Sequence, residues 1–383
     1  MKVGVLQHDL ASVAGATRFT FVLGNVLKEV GYEIAYACVR ENVKELEKKF
    51  GYKFDFLVYK LKKIWVKEVY GPLFVGDIGA LVNFVPVVRK LCKEFKPDVI
   101  IGVEPLTCFI PPIFMNIPTI YHCTSPVTGY FVTQHLESEH YRGIHRVTSF
   151  PYRKLEEMIT KKITTICYTS EWVKKKLPYP FNKGSVVLSN PVDTDLFKPR
   201  EKKENIILCV LRFMPEARYG NMIDAFKKLK RDDFSLYIVG GLDSRYIDYY
   251  KFLEGKIKNC ENIKLLPNAD FDTLLQLYQS AKIFWYPISA QFGIVLIEAQ
   301  ACGLPIIARD PYKTGPSEIV DNGVNGFIVD DFDRLVEKTV LLLDDEKKLG
   351  QMSKNARKNA VENYSIEAFK KKVVNLIENC VKK

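Results

Sequence analysis

Residues 288–329 read ISAQFGIVLIEAQACGLPIIARDPYKTGPSEIVDNGVNGFIV, and this stretch decides the fold. Gly293 opens an apolar helix. A carboxylate, Glu298, lies about one turn further in, and a second Gly-rich turn stands ahead of another helix. The backbone N–H groups of Phe292, Gly293, Ile294 and Val295 would be the donors that the first helix leaves without intrahelical partners. A helix start of that kind is a ready seat for phosphate. Glu298 is placed to reach a ribose whose phosphates sit at the helix start, so the stretch suits a nucleoside diphosphate lying along the helix.

The pattern around this stretch is that of an α/β sheet. Working back towards the N-terminus, Ile283–Tyr286 and residues 262–266 read as buried strands, with a helix over 273–280 between them. Leu236–Val239 runs into a Gly240–Gly241 turn, and a helix over 221–230 follows the strand 206–211. Strands alternating with helices imply a parallel sheet. Pro199 and the charged run REKKEN (200–205) read as a linker. Ahead of it, 3–6, 33–39, 98–102, 119–122, 164–168 and 185–188 are strand candidates, with a helix over 18–30. The expected fold class is α/β, with two doubly wound Rossmann-like domains facing across a cleft. They would span 1–199 and 200–365, and an amphipathic C-terminal helix over 366–383 would pack back toward the first.

Composition narrows the function. A chain of 383 residues is too long for one core and suits two domains. With 47% hydrophobic and 26% charged residues it has a globular balance. The nine cysteines are odd in number, scattered and without a Cys-x-x-Cys pair, which argues against a disulfide framework or zinc ribbon and for a reducing compartment. His8 and Asp9 interrupt the N-terminal apolar run too early for a signal peptide, and Glu104 with four prolines breaks the most apolar region, 99–123. A cytoplasmic location is expected. The net charge of +11 invites anionic partners. No recognition motif supports nucleic acid. Lys60–Lys67, KLKKIWVK, followed by Tyr70, Leu73 and Phe74, has the composition of a segment lying on an anionic bilayer, so a peripheral membrane location is the added expectation.

Further residues could carry chemistry. Arg212 ends the 206–211 strand and Arg218 follows in RFMPEARYG, where the pair could clamp a diphosphate. His122 ends the strand PTIYH and could meet a substrate by side chain or carbonyl. Gly15 in VAGATRF permits close backbone approach. Glu318 is either a first-turn carboxylate favoured by the helix dipole or a ligand contact. His135, His140 and His145 alternate with Glu137 and Glu139 at no zinc spacing, so no metal site is expected.

These motifs together resemble the retaining GT-B glycosyltransferases of family 4, which include many nucleotide-sugar-dependent mannosyl- and glucosyltransferases. VAGATRF is similar to the first Gly-rich loop and PTIYHCTSP to the strand-end histidine. YTSEWVKKKL and NPVDTDLFKP are similar to the close of the N-terminal domain, and RFMPEARYG to the phosphate loop. QFGIVLIEAQACGLPII and NGVNGFIV are similar to the donor motif and its sequel. Loosely, the wording is nearest the lipid-linked oligosaccharide mannosyltransferases. The resemblance implies transfer of a hexose from a nucleoside-diphosphate sugar to a glycan, lipid-linked or other hydroxyl acceptor, with retention. Glu298 would hold the ribose and the amides near Gly293 and Ile294 the diphosphate. Arg212 and Arg218 would counter the leaving charge, and the surroundings of Asn268 would influence the base. Gly15 and His122 would face the acceptor, and domain closure would exclude water. No cofactor and no metal are required.

Two departures matter. Ala290 stands where the family pattern has the first of two glutamates, with Gln291 the nearest substitute, and Ala217–Arg218 stands where a lysine is usual. A non-catalytic sugar-nucleotide-binding or scaffold protein of the same fold is therefore the alternative. An epimerase or a phosphorylase is a lesser one, and no motif for a pyridoxal phosphate lysine accompanies it.

Overall fold

The computed structural model describes residues 1–382 apart from 12–14, 51–52, 62–74, 104–105, 125–149, 178, 185 and 291, and apart from the side chains of 48–50, 75–81 and 150–153. The chain divides into two compact units, Met1–Asn190 with Phe369–Lys383, and Pro191–Ala368.

In the first unit the sheet strands are β1 (Lys2–Leu6), β3 (Glu33–Cys38), β5 (Leu57–Lys60), β6 (Val99–Gly102), β7 (Thr119–Cys123), β8 (Thr165–Tyr168) and β9 (Val186–Val187). They form one sheet in the order β5-β3-β1-β6-β7-β8-β9, with parallel pairings throughout. The short strands β2 (Asp9–Leu10) and β4 (Arg40–Glu41) pair separately. β1 and β6 are largely β-branched and aliphatic, and with β7 they are buried almost throughout, as strands covered on both faces must be. The end of the C-terminal helix (Ile366–Val381) belongs to this unit: Phe369 meets Phe19 edge-on at 5.6 Å, and Lys370 pairs with Glu29 at 3.0 Å.

The second unit holds β10 (Ile206–Val210), β11 (Ser235–Gly240), β12 (Ile263–Pro267), β13 (Ile283–Tyr286), β14 (Ile306–Arg309) and β15 (Gly326–Val329). Their order, β12-β11-β10-β13-β14-β15, is the doubly wound arrangement whose direction of travel reverses between β10 and β13. Period-two alternation sends β10 and β13 into two cores. Ile207, Cys209, Ile283 and Trp285 belong to one cluster, while Ile206, Leu208, Val210, Phe284 and Tyr286 belong to the other. The one polar atom that Trp285 carries is satisfied, its Nε1 donating to Thr339 Oγ1 at 2.9 Å.

The strands read from sequence are found within a residue or two of their expected ends, but three expectations need correcting. Arg200–Asn205 is no free linker. Lys203 is half-buried, its ammonium donating to Gln279 O at 2.7 Å and Cys302 O at 2.9 Å, and Glu204 N donates to Ser280 O at 2.7 Å. The run reads as a linker in sequence because the carbonyls that satisfy its lysine are distant along the chain. The unit boundary also falls ahead of Pro199, because Val192 bridges to Ser365 and Phe197 packs in the core of the second unit. Finally, the turn at 322–326 is followed first by strand β15 and only then by the helix Phe332–Leu343.

Of the basic segment 60–67, only Lys60 and Leu61 lie within the described residues; Lys60 is paired with Glu41. The histidines at 135, 140 and 145 lie outside them. None of the nine cysteines is in a disulfide, and all but the half-buried Cys260 are buried. Among the described residues no helix is long and apolar enough to cross a membrane.

Candidate functional site

In the second unit the site builds on the switch point. The segment after β13 crosses to the helix Ile294–Ala301, with Gly293 as its N-cap in an extended conformation. The first bond of that turn runs from Leu296 N to Gly293 O at 2.9 Å, so Ile294 and Val295 stand with their N–H groups at the open end. Gly293 is buried, and a Cβ there would come within 3.0 Å of Leu296 Cδ1 and 3.4 Å of the Tyr286 hydroxyl. Phe292 is half-buried with its ring 6.5 Å from that of Tyr364. Glu298 is 5% exposed and accepts a hydrogen bond from the Tyr278 hydroxyl at 3.0 Å. Five residues of helix rise carry Glu298 about 7 Å from Gly293, a nucleoside's reach from a phosphate held at the helix start.

The neighbouring strand end, that of β10, carries Arg212. It is exposed, and its Cγ would lie 3.9 Å from a Cβ added at Gly241; the Asn268 side-chain oxygen would lie 4.0 Å from that same point. Asn268, in the left-handed region at φ 54°, donates its N–H to Gly240 O at 2.8 Å and accepts from Leu242 N at 3.0 Å. The strand ends of β10, β11 and β12 are thus knitted together, with Arg212 and Asn268 facing one turn. Asp243 stands nearby, its carboxyl held down to about 2 chiefly by hydrogen bonding to Arg245, with Arg212 adding a smaller attraction. Arg218, also left-handed at φ 53° and exposed, begins the helix Tyr219–Leu229.

A feature that sequence reading missed lies beside this seat. Asp310 follows β14, is fully buried, and accepts five hydrogen bonds. Its Oδ1 takes the Ser289 hydroxyl at 2.6 Å and the Thr314 hydroxyl at 2.8 Å. Its Oδ2 takes Thr314 N at 2.6 Å, Ser317 N at 3.2 Å and the Ser317 hydroxyl at 2.6 Å. Ala290 is tied to the same loop twice, through its N–H to Thr314 Oγ1 at 3.1 Å and from Gly315 N to its carbonyl at 2.8 Å. The signal was a turn of the form DPYKTGPS, in which a carboxylate precedes two hydroxyl residues and a helix start. Gln291 lies outside the described residues. Glu318 is in the first turn of the short helix Pro316–Ile319.

Gly15 and His122 belong to the first unit. His122, near the end of β7, is fully buried and stacked on Phe19 at 3.8 Å, and its Nε2 is bonded to Leu188 O at 2.9 Å. Burial pushes its pKa down to about 4, against a smaller opposing effect of the Leu188 carbonyl. The ring is therefore neutral near pH 7: it can hold a hydrogen bond but exchanges no charge there. Its Nδ1 is buried without a partner among the described residues, as is Asn190 Oδ1. Gly15 starts the helix Gly15–Glu29, and a Cβ on it would lie 3.7 Å from Asn190 Nδ2. His122 in the first unit, and Arg212 and Asn268 in the second, thus stand at the carboxyl ends of strands.

Comparison with known proteins adds to this geometry. A "Probable sucrose-phosphate synthase" of Thermosipho melanesiensis is 30% identical over 250 residues, covering 60% of this chain and 58% of that protein. A "GDP-mannose-dependent monoacylated alpha-(1-6)-phosphatidylinositol monomannoside mannosyltransferase" of Corynebacterium glutamicum is 24% identical over 249 residues, covering 58% of this chain and 64% of its own. This chain thus spans less than two thirds of the length of either. Among solved structures, Anabaena Alr3699/HepE in complex with UDP superposes with a TM-score of 0.74 at 17% identity, covering 99% of this chain and 100% of that one. Sucrose-phosphate synthase from Thermosynechococcus elongatus gives 0.73 at 17%, covering 99% and 98%. The two doubly wound α/β domains are those of the GT-B fold, and residues 192–359 match the family of Glycosyl transferases group 1.

Proposed function

We propose that the protein is a glycosyltransferase that moves a hexose from a nucleoside-diphosphate sugar to a hydroxyl acceptor, glycan or lipid-linked, with retention of configuration. The observation that carries the reading is the meeting, at one topological switch point, of a helix N-terminus, an arginine on the adjoining strand end and a buried carboxylate one turn into the helix. The Ile294 and Val295 amides would receive the diphosphate, Arg212 would neutralise charge as the nucleotide departs, and Glu298 would take the ribose hydroxyls. Arg218 and the Asn268 turn would complete the donor side. This division of labour asks for neither metal nor cofactor.

Two relatives support the reading from outside: the Anabaena protein was crystallised with UDP, and the Corynebacterium relative carries GDP-mannose in its name. His122, neutral and fully buried, is unsuited to act as a general base. The basic segment from Lys60 to Lys67 would hold the protein at an anionic membrane surface, which brings a lipid-linked acceptor within reach.

The test is a thermal-shift screen of UDP, GDP, ADP and their common sugars, because a ligand stabilises the fold it binds. A rise in Tm with one nucleoside diphosphate and release of that nucleotide from its sugar on adding acceptor are expected. No shift with any of them would remove the donor assignment.

A further inference from the structure

We propose that Asp310 is the positioning residue of the phosphate seat, acting through Ser289 and Ala290 on the segment that opens the helix Ile294–Ala301. The inference rests on the nucleotide-sugar reading. The two carboxylate oxygens divide their work. Oδ2 closes the turn into the helix Pro316–Ile319 through Thr314 N and both donors of Ser317. Oδ1 reaches across to the other segment through the Ser289 hydroxyl and orients the Thr314 hydroxyl, which in turn accepts from Ala290 N. The return bond from Gly315 N to Ala290 O locks the two segments in register.

The chain between Ala290 and Ile294 is short, so the location of Ser289 and Ala290 limits where the Gly293, Ile294 and Val295 amides can point. A seat made of backbone amides has no side chain to adjust; its geometry is that of the chain leading into it. A buried side chain that accepts five hydrogen bonds is suited to fix that chain. Four of its five bonds are 2.6–2.8 Å long, and removing one leaves a dry polar group unmatched. Charge at Asp310 is not offered to the ligand, since all five bonds are spent within the protein.

The experiment compares two hydroxyl deletions on the same carboxylate, Ser289→Ala on the Oδ1 side and Ser317→Ala on the Oδ2 side, with Ser289→Thr as the conservative replacement. Binding of UDP and GDP is measured by calorimetry on the full chain, alongside thermal melts and the split of kcat from donor KM. Both alanine variants should lose similar amounts of Tm. Ser289→Ala should weaken binding of whichever nucleotide the wild type takes by about ten-fold, Ser317→Ala by less than about two-fold, and Ser289→Thr should recover most of the loss. Wild-type affinity in Ser289→Ala, or equal loss in both alanine variants, would overturn the positioning role and leave the donor reading standing. A wild type that binds neither nucleotide would remove the donor reading itself and this inference with it, and that result is visible before any variant is made.

Discussion

The Tyr278 hydroxyl donates to Glu298 Oε2 across 3.0 Å, and both residues are buried. The bond fixes one carboxylate oxygen of Glu298, and in the proposed donor site it would orient that carboxylate for the ribose. Tyr278→Phe keeps the ring, which stacks on Phe284 at 5.9 Å, and removes only the donor. It should cost about 1–2 kcal/mol of stability and weaken nucleotide binding several-fold, read by urea denaturation and calorimetry. Glu298→Ala should lower turnover at least ten-fold with the circular dichroism spectrum unchanged. If Tyr278→Phe binds nucleotide as tightly as wild type, the hydroxyl does not orient the carboxylate.

Arg212 stands exposed at the end of β10 beside the Gly240–Gly241 turn. The counter-charge role proposed for it predicts a loss in kcat that exceeds the loss in donor affinity, because the charge grows as the glycosidic bond breaks. Arg212→Ala should slow turnover by about ten-fold or more, and Arg212→Lys should recover only part, since an ammonium lacks the planar fork. Steady-state kinetics with the donor found in the thermal screen decide it. Unchanged kcat in the alanine variant would remove Arg212 from the site.

Much of this was legible in the sequence, for physical reasons. Runs such as Ile206–Val210 and Ile283–Tyr286 can only be strands covered on both faces, and Gly293 ahead of an apolar helix marks an open N-terminus. What escaped notice depends on contacts between distant segments. Nothing around Tyr278 announces that its hydroxyl meets Glu298, and nothing around Lys203 announces two helix-end carbonyls. Asp310 draws its five donors from residues on either side of a helix and a strand. His122 was placed correctly at a strand end, but its stacking on Phe19 and its neutrality follow from burial that no local pattern encodes.

Gly240 and Gly255 should respond oppositely to alanine. A Cβ at Gly240 would fall 1.7 Å from Leu211 O and 2.6 Å from the Leu211 carbonyl carbon, where β10 and β11 run side by side. Backbone atoms cannot yield as a side-chain tip can, so Gly240→Ala should cost about 4 kcal/mol or more, or give insoluble protein. At Gly255, inside the helix Ile247–Ile257, nothing lies within 4 Å of the added carbon. There the substitution should stabilise by about 0.5–1 kcal/mol through helix propensity. Melting curves of the two variants test both, and a stable Gly240→Ala protein would contradict the close strand-end contact.

The buried His122 should make the fold sensitive to acid. In the native state its pKa is lowered to about 4 by burial, while in the unfolded chain it returns to about 6.5. Between those values the unfolded chain binds a proton that the native state refuses, so stability falls as pH falls from about 6.5 to about 4. Above that window both states are neutral and the residue contributes no slope. The full shift corresponds to roughly 3 kcal/mol. Carboxylates that titrate in the same range act on wild type and variant alike, so the difference between the two isolates the histidine. His122→Asn preserves a polar group near Leu188 O but does not titrate. Urea denaturation at a series of pH values should show a steeper loss for wild type than for the variant within this window, and parallel lines above it. Parallel lines throughout would mean that the ring is reached by water and carries its proton at ordinary cost, which is incompatible with its place between Phe19 and Leu188.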